Sequence, residues 1–125
     1  MTLTIIDGEI VDATSVVEAA DAPPAGVDLL LVNSGPTSGA RFAIESDMVT
    51  AGRGVGCDIF LDDVTVSREH ATFSRTESGR LAVNDKGSLN GTYVNGVRVD
   101  ETLLDSGDEV QIGKFKLIYI AARDR

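Results

Sequence analysis

Three short clusters in this 125-residue chain hold the side chains that could do chemistry: Gly52-Arg53, Ser67-Arg68-Glu69-His70 and Ser88-Leu89-Asn90-Gly91-Thr92. Together they supply a fixed cation, hydroxyls and an amide, with no nucleophile set beside a general base. Arg53 presents a planar fork of donors matched to two phosphate oxygens. The glycine before it admits the close backbone approach that a bulky anion needs. Ser67 can donate a short hydrogen bond to a phosphate oxygen. Arg68 adds a second cation or its backbone N–H. Asn90 can grip a peptide main chain with both ends of its amide. Singly, each has a plainer explanation: a strand-end arginine, a loop serine, a turn asparagine before glycine. As a set, they suit holding a phosphate and not cleaving it.

The other reactive side chains do not point to catalysis. His70 is the only histidine, and no Ser/Asp pair stands at a recognised nucleophile motif. Cys57 lies on an expected strand and reads as a core residue. Asp58, Asp62 and Asp63 lack the glycine and distal glutamate of a calcium loop, so they read as a solvated turn. No catalytic residue, metal or cofactor is expected, and the chain is not read as an enzyme.

The elements that must position the clusters are all strands. Leu29 to Val32 is an apolar run closed by Ser34-Gly35-Pro36, and Arg41–Ile44 and Met48–Ala51 follow. Cys57–Leu61 and Leu81–Val83 alternate. Thr92–Val94 and Val97–Val99 flank Asn95-Gly96, a strong hairpin signal. Glu109–Ile112 leads through Gly113 to Phe115–Ile120. Turns at this spacing favour an all-β sandwich. The first and last strands, both aliphatic, are expected to pair and to bury both faces. The site loops are expected at one end of the scaffold.

Length allows one domain with a modest core. A lone cysteine leaves no disulfide framework, and no apolar run approaches the length of a membrane span. Net charge is −9. Residues 1–26 hold five of the 20 acids and no base, and end in Asp21-Ala22-Pro23-Pro24-Ala25-Gly26, which resists helix and strand. An acidic body is a poor binder of nucleic acid, so a phosphate site must be a local basic spot. A cytoplasmic monomer is expected, binding neither nucleic acid nor membrane.

The cluster spacing resembles the forkhead-associated (FHA) domain, with Gly-Arg, then Ser-Arg-x-His, then Ser-x-Asn-Gly-Thr. The resemblance implies a sandwich of two sheets with about eleven strands over residues 28–122, preceded by a flexible regulatory tail, 1–27. It also implies phosphothreonine binding by Arg53, Ser67, Arg68, Ser88 and Asn90. Gly52, His70, Gly91 and Asn95 would support the site, with His70 tying the Ser67 loop to the scaffold.

Longer stretches are similar to the GarA/OdhI family of metabolic regulators: Asp58 to Arg68, Gly87 to Asn95 and Gly107 to Phe115. Membership would imply that the unphosphorylated chain inhibits the 2-oxoglutarate dehydrogenase complex, with glutamate dehydrogenase or glutamate synthase as further targets. A Ser/Thr protein kinase would phosphorylate the tail, and the FHA domain would then bind its own phosphorylated tail. Asp12-Ala13-Thr14-Ser15-Val16 resembles the family's tail motif, which makes Thr14 the expected phosphosite and Ser15 the second choice. Val17 stands where that family has an aromatic residue, Glu69 where it often has arginine, and Gly54-Val55-Gly56 replaces a stiffer loop. Thr14 to Leu29 spans about 50 Å when extended, enough to reach the far loops. The alternative is an FHA adaptor with an inert tail that binds phosphorylated partners in trans.

Overall fold

The computed structural model describes residues 27–35 and 37–122. The expected tail phosphosite, Thr14, and the rest of 1–26 lie outside these residues. The described chain contains β1 (Asp28–Ser34), β2 (Arg41–Ile44), β3 (Met48–Gly52), β4 (Ile59–Phe60), β5 (Ala71–Arg75), β6 (Leu81–Asp85), β7 (Thr92–Val94), β8 (Val97–Val99), β9 (Glu101–Leu103), β10 (Glu109–Ile112) and β11 (Phe115–Ile120), and no helix. One sheet has the order β2-β1-β11-β10-β7-β8 and the other β4-β3-β5-β6-β9. All pairings are antiparallel except β3 with β4.

Side-chain alternation explains the two layers. Phe115, Leu117 and Tyr119 of β11 are buried, while Lys116, Ile118 and Ile120 are half-exposed. Across the core, Phe73, Leu81 and Val83 of β5 and β6 are fully buried. Inward-facing residues of both sheets thus interdigitate, as in aligned sandwiches. β1 and β11 do pair, from Leu29 with Ile120 to Ser34 with Lys116. The expectation that both faces of β11 are buried does not hold. The outer face of its sheet has no covering layer among the described residues, so only one face of the strand is sequestered.

The pole where β1 starts and β11 ends is closed by one buried carboxylate. Asp28 accepts hydrogen bonds from Tyr119 Oη at 2.8 Å, Arg75 Nη1 at 3.0 Å and the Ala122 amide at 2.6 Å. The Asn95-Gly96 turn forms as expected, with both residues in the left-handed region (φ 51° and 84°). That geometry suits the twist of the two strands it joins. Asn95 also pins the hairpin to β10: its Nδ2 donates to Asp108 at 3.0 Å, and its Oδ1 accepts the Glu109 amide at 3.0 Å.

Two details depart from the expected pattern. The strand expected over Cys57–Leu61 shrinks to Ile59–Phe60. Cys57 is half-buried outside that strand, its Sγ 3.2 Å from the Arg68 carbonyl oxygen. Asp58 accounts for the shortening, because its carboxylate takes the Thr50 amide at 3.1 Å and its own amide donates to Thr50 Oγ1. Side chain–backbone bonds there replace a ladder.

Candidate phosphopeptide-binding site

Three loops meet at one end of the sandwich, and the backbone joins them first. β3 ends at Gly52, and the next two amides continue toward the following loop. Arg53 N donates to Ser67 O at 2.9 Å, and Gly54 N to Arg68 O at 3.1 Å. This closeness is why residue 52 is glycine. A Cβ there would collide with the Arg68 carbonyl oxygen and lie 2.8 Å from its carbon. The expected reason for the glycine was the approach of an anion; what approaches is the protein's own main chain.

Arg53 is exposed, but its guanidinium is not loose. Nε donates to the Val66 carbonyl at 3.0 Å, which fixes the plane of the fork. Among the described residues neither Arg53 nor Arg68 meets a carboxylate. Ser67 stands beside them. Its Oγ accepts the Leu89 amide at 3.1 Å, which leaves the hydroxyl proton available for a ligand. Asn90 Nδ2 donates to Thr65 O at 2.9 Å, which orients the amide at the loop edge. Its oxygen has no partner among the described residues. Arg68 is exposed, and its carbonyl is occupied by Gly54 and Cys57.

His70 is completely buried and links the two serine-containing loops. Nδ1 accepts the Ser67 amide at 3.1 Å, and Nε2 lies 2.8 Å from the Gly91 carbonyl. Accepting at one nitrogen and donating at the other defines a neutral ring with its proton on Nε2. Gly91 takes φ of +88°, and Arg98 lies across it where a side chain would sit.

Ser88 has a different environment from the other four ligand candidates. It is buried, its Oγ donates to Asp85 Oδ1 at 2.5 Å, and it accepts the Gly91 amide at 2.9 Å. Its hydroxyl therefore shapes the loop. Asp85, which sequence reasoning does not single out, is the centre of that loop. It also accepts Thr92 Oγ1 at 2.8 Å and the amides of Gly87 and Ser88 at 3.0 and 3.1 Å. Burial pushes its carboxyl up, but these four hydrogen bonds together outweigh burial and hold it below the usual carboxylate range. The signal that could have found it is the spacing Asp85, Ser88, Thr92, an acid followed by two hydroxyls.

Thr65 likewise escapes sequence reasoning. Its Oγ1 donates to Asp63 at 2.5 Å and accepts the Lys114 amide at 3.0 Å, tying the Ser67 loop to the β10–β11 turn. The Thr65 hydroxyl, then its amide, lower the Asp63 carboxyl, against a smaller opposing effect of desolvation. Asp63-x-Thr65 is a short-range side chain–backbone turn, readable from spacing. Gly113 permits the contact, since a Cβ there would lie 2.7 Å from Val66 Cγ2.

A two-sheet sandwich that gathers an arginine fork, a free serine hydroxyl and an amide from three loops is the architecture of a phosphopeptide-recognition module. The FHA domain family model matches residues 49–113, and the chain belongs to the FHA domain family. It is similar to the oxoglutarate dehydrogenase inhibitor of Corynebacterium diphtheriae, at 57% identity over 98 residues, 78% of this chain and 68% of that protein. It is also similar to the glycogen accumulation regulator GarA of Mycolicibacterium smegmatis, at 53% identity over 104 residues, 83% of this chain and 65% of that one. Solved structures agree. A chain from a study of phosphothreonine-dependent FHA domain interactions superposes with a TM-score of 0.69 at 27% identity, over 76% of this chain and 96% of that one. Mycobacterium tuberculosis EmbR in complex with a low-affinity phosphopeptide gives 0.70 at 27%, over 77% of this chain and 24% of that one.

Proposed function

We propose that this protein is a non-catalytic, phosphothreonine-binding regulator of 2-oxoglutarate metabolism, switched by phosphorylation of its own tail. One observation carries the reading. The Arg53 fork is clamped at 3.0 Å on the Val66 carbonyl, beside a Ser67 hydroxyl whose proton is unused. That arrangement is pre-organised for a dianionic phosphate, with Arg68 as a second cation and Asn90 on the ligand's main chain. Ser88, Gly52, His70, Gly91 and Asn95 serve as framework.

The names of the relatives point to the target. In its unphosphorylated form the chain inhibits a 2-oxoglutarate dehydrogenase complex, with glutamate dehydrogenase or glutamate synthase as further targets. A cytoplasmic Ser/Thr kinase phosphorylates Thr14, and residues 1–27 then dock on the domain over 28–122. Tethering gives an effective concentration on the order of millimolar, so even a micromolar site would be mostly closed.

Calorimetric titration of the domain with a phosphorylated Thr14 peptide tests the switch. Binding is expected in wild type and absent in Ser67→Ala. No binding in either discards tail docking. A Thr14→Ala chain that inhibits the dehydrogenase yet no longer responds to kinase separates the self-regulated protein from a trans-acting adaptor.

A further inference from the structure

Strand register lays out the outer face of the six-stranded sheet in rows. Nearest the site loops, Arg98 and Lys116 stand in one row, with Tyr93 and Gln111 between them. The next row holds Ile118, Leu31 and Arg41, with Glu109 at its side. The last, at the Asp28 pole, holds Ile120 and Leu29. Leu31, Ile118 and Ile120 remain half-exposed. The face thus grades from cationic beside the site to apolar where β1 begins. Three bases meet one acid there, on a chain of net charge −9. Lys116 and Arg98 have no carboxylate among the described residues. The other sheet's outer face is the opposite. The outward positions of β3, β5, β6 and β9 hold no Lys or Arg, Glu101 stands on β9, and Asp58 accepts from Thr50 Oγ1 at 3.3 Å.

We propose that the outer face of β11, from Lys116 to Ile120, is the track along which residues 15–26 lie when the tail closes. The proposal rests on the reading that phosphorylated Thr14 docks at the loop end, and it assigns the path between that anchor and β1. Order along the chain selects this occupant. Behind Thr14 come Glu18 and Asp21, with no base, and then the apolar run Ala22-Pro23-Pro24-Ala25. Laid from the site toward the Asp28 pole, the acids meet the row of Arg98 and Lys116, and the Ala-Pro run meets Ile118 and Ile120. Length permits it. β1 has seven residues, about 23 Å, and the segment 15–26 spans about 40 Å when extended. Charge excludes the other sheet as a path, because an acidic segment gains nothing from a face without a cation. The track adds several weak contacts to one strong anchor, so it tightens closure without binding an unmodified tail firmly.

The test titrates the full, unphosphorylated chain by calorimetry with two phosphorylated Thr14 peptides, residues 8–17 and residues 8–26. Wild type is compared with the double variant Lys116→Glu, Ile118→Thr and with Lys116→Glu alone. Wild type should bind the longer peptide about tenfold more tightly than the shorter one. The double variant should lose that gain and keep its affinity for the shorter peptide within about twofold, which also shows that it folds. Lys116→Glu alone, a surface exchange, should lose at least about threefold of the gain. Equal affinity of the two peptides for wild type overturns the proposal. So does a gain that survives in Lys116→Glu, whatever the double variant does. Failure of wild type to bind the shorter peptide removes the docking reading itself, and is distinguished from failure of the track by that peptide alone.

Discussion

His70 and Gly91 share a buried hydrogen bond of 2.8 Å, from the ring Nε2 to the main-chain carbonyl. The same ring accepts the Ser67 amide, so the loop with Ser67 and the loop with Asn90 are held by one side chain. His70→Ala would leave a buried amide and carbonyl unpaired and open a cavity. The expected cost is about 2–4 kcal/mol by urea denaturation. Phosphopeptide affinity should fall about tenfold by calorimetry although His70 touches no ligand. A fully stable variant with unaltered affinity would contradict this linkage.

Two glycines near Arg53 should behave oppositely. Gly52→Ala places a Cβ against the Arg68 carbonyl, whereas one at Gly56 meets open space. Gly52→Ala should lose more than about 2 kcal/mol and weaken phosphopeptide binding; Gly56→Ala should stay within about 0.5 kcal/mol. Thermal denaturation of the pair checks this directly.

The two serines should also separate. Ser67→Ala removes the free hydroxyl proton and should abolish measurable phosphopeptide binding, with a small effect on stability. Ser88→Ala removes a buried hydroxyl with two partners and should cost about 1–3 kcal/mol. Its effect on affinity should follow only from the loosened loop. Equal loss of binding with no destabilisation would return Ser88 to the ligand set.

Asp85 sets an acid limit on the fold. Its folded carboxyl lies below the ordinary range, so at low pH the unfolded chain binds the extra proton first. Its contribution is complete above about pH 4 and is lost as pH falls through the depressed folded value. Urea midpoints measured down to about pH 2.5 should therefore fall more steeply in wild type than in Asp85→Asn. The variant itself should be roughly 1–3 kcal/mol less stable at neutral pH.

Strands with a strong local signature are legible in the amino-acid order itself. The Asn95-Gly96 hairpin, Arg41–Ile44 and the final strand stand where turn chemistry and alternation put them. Strands β5 and β9 carry no such mark. Ala71–Arg75 has one large apolar residue, Phe73, and its burial comes from sitting between β3 and β6. Glu101–Leu103 is a three-residue edge whose pairing to β6 is a long-range choice. Arg53, Ser67 and Asn90 stand out because their spacing resembles the FHA pattern, while each alone reads as an ordinary loop or strand-end residue. Which hydroxyl faces out and which faces Asp85 depends on loop packing, and neither periodicity nor motif carries that information.

The Asp28 clamp also dictates when this domain can exist. The first strand of the sandwich finds its main partner only in the last, through bonds that span 91 and 94 residues of chain. A nascent chain emerging from the ribosome therefore carries Leu29, Leu30 and Val32 unsheltered until Tyr119 and Ala122 have been made. Folding is governed by this long-range closure, the slow regime for β proteins. A message truncated before Phe115 would yield an aggregation-prone fragment and no smaller working module.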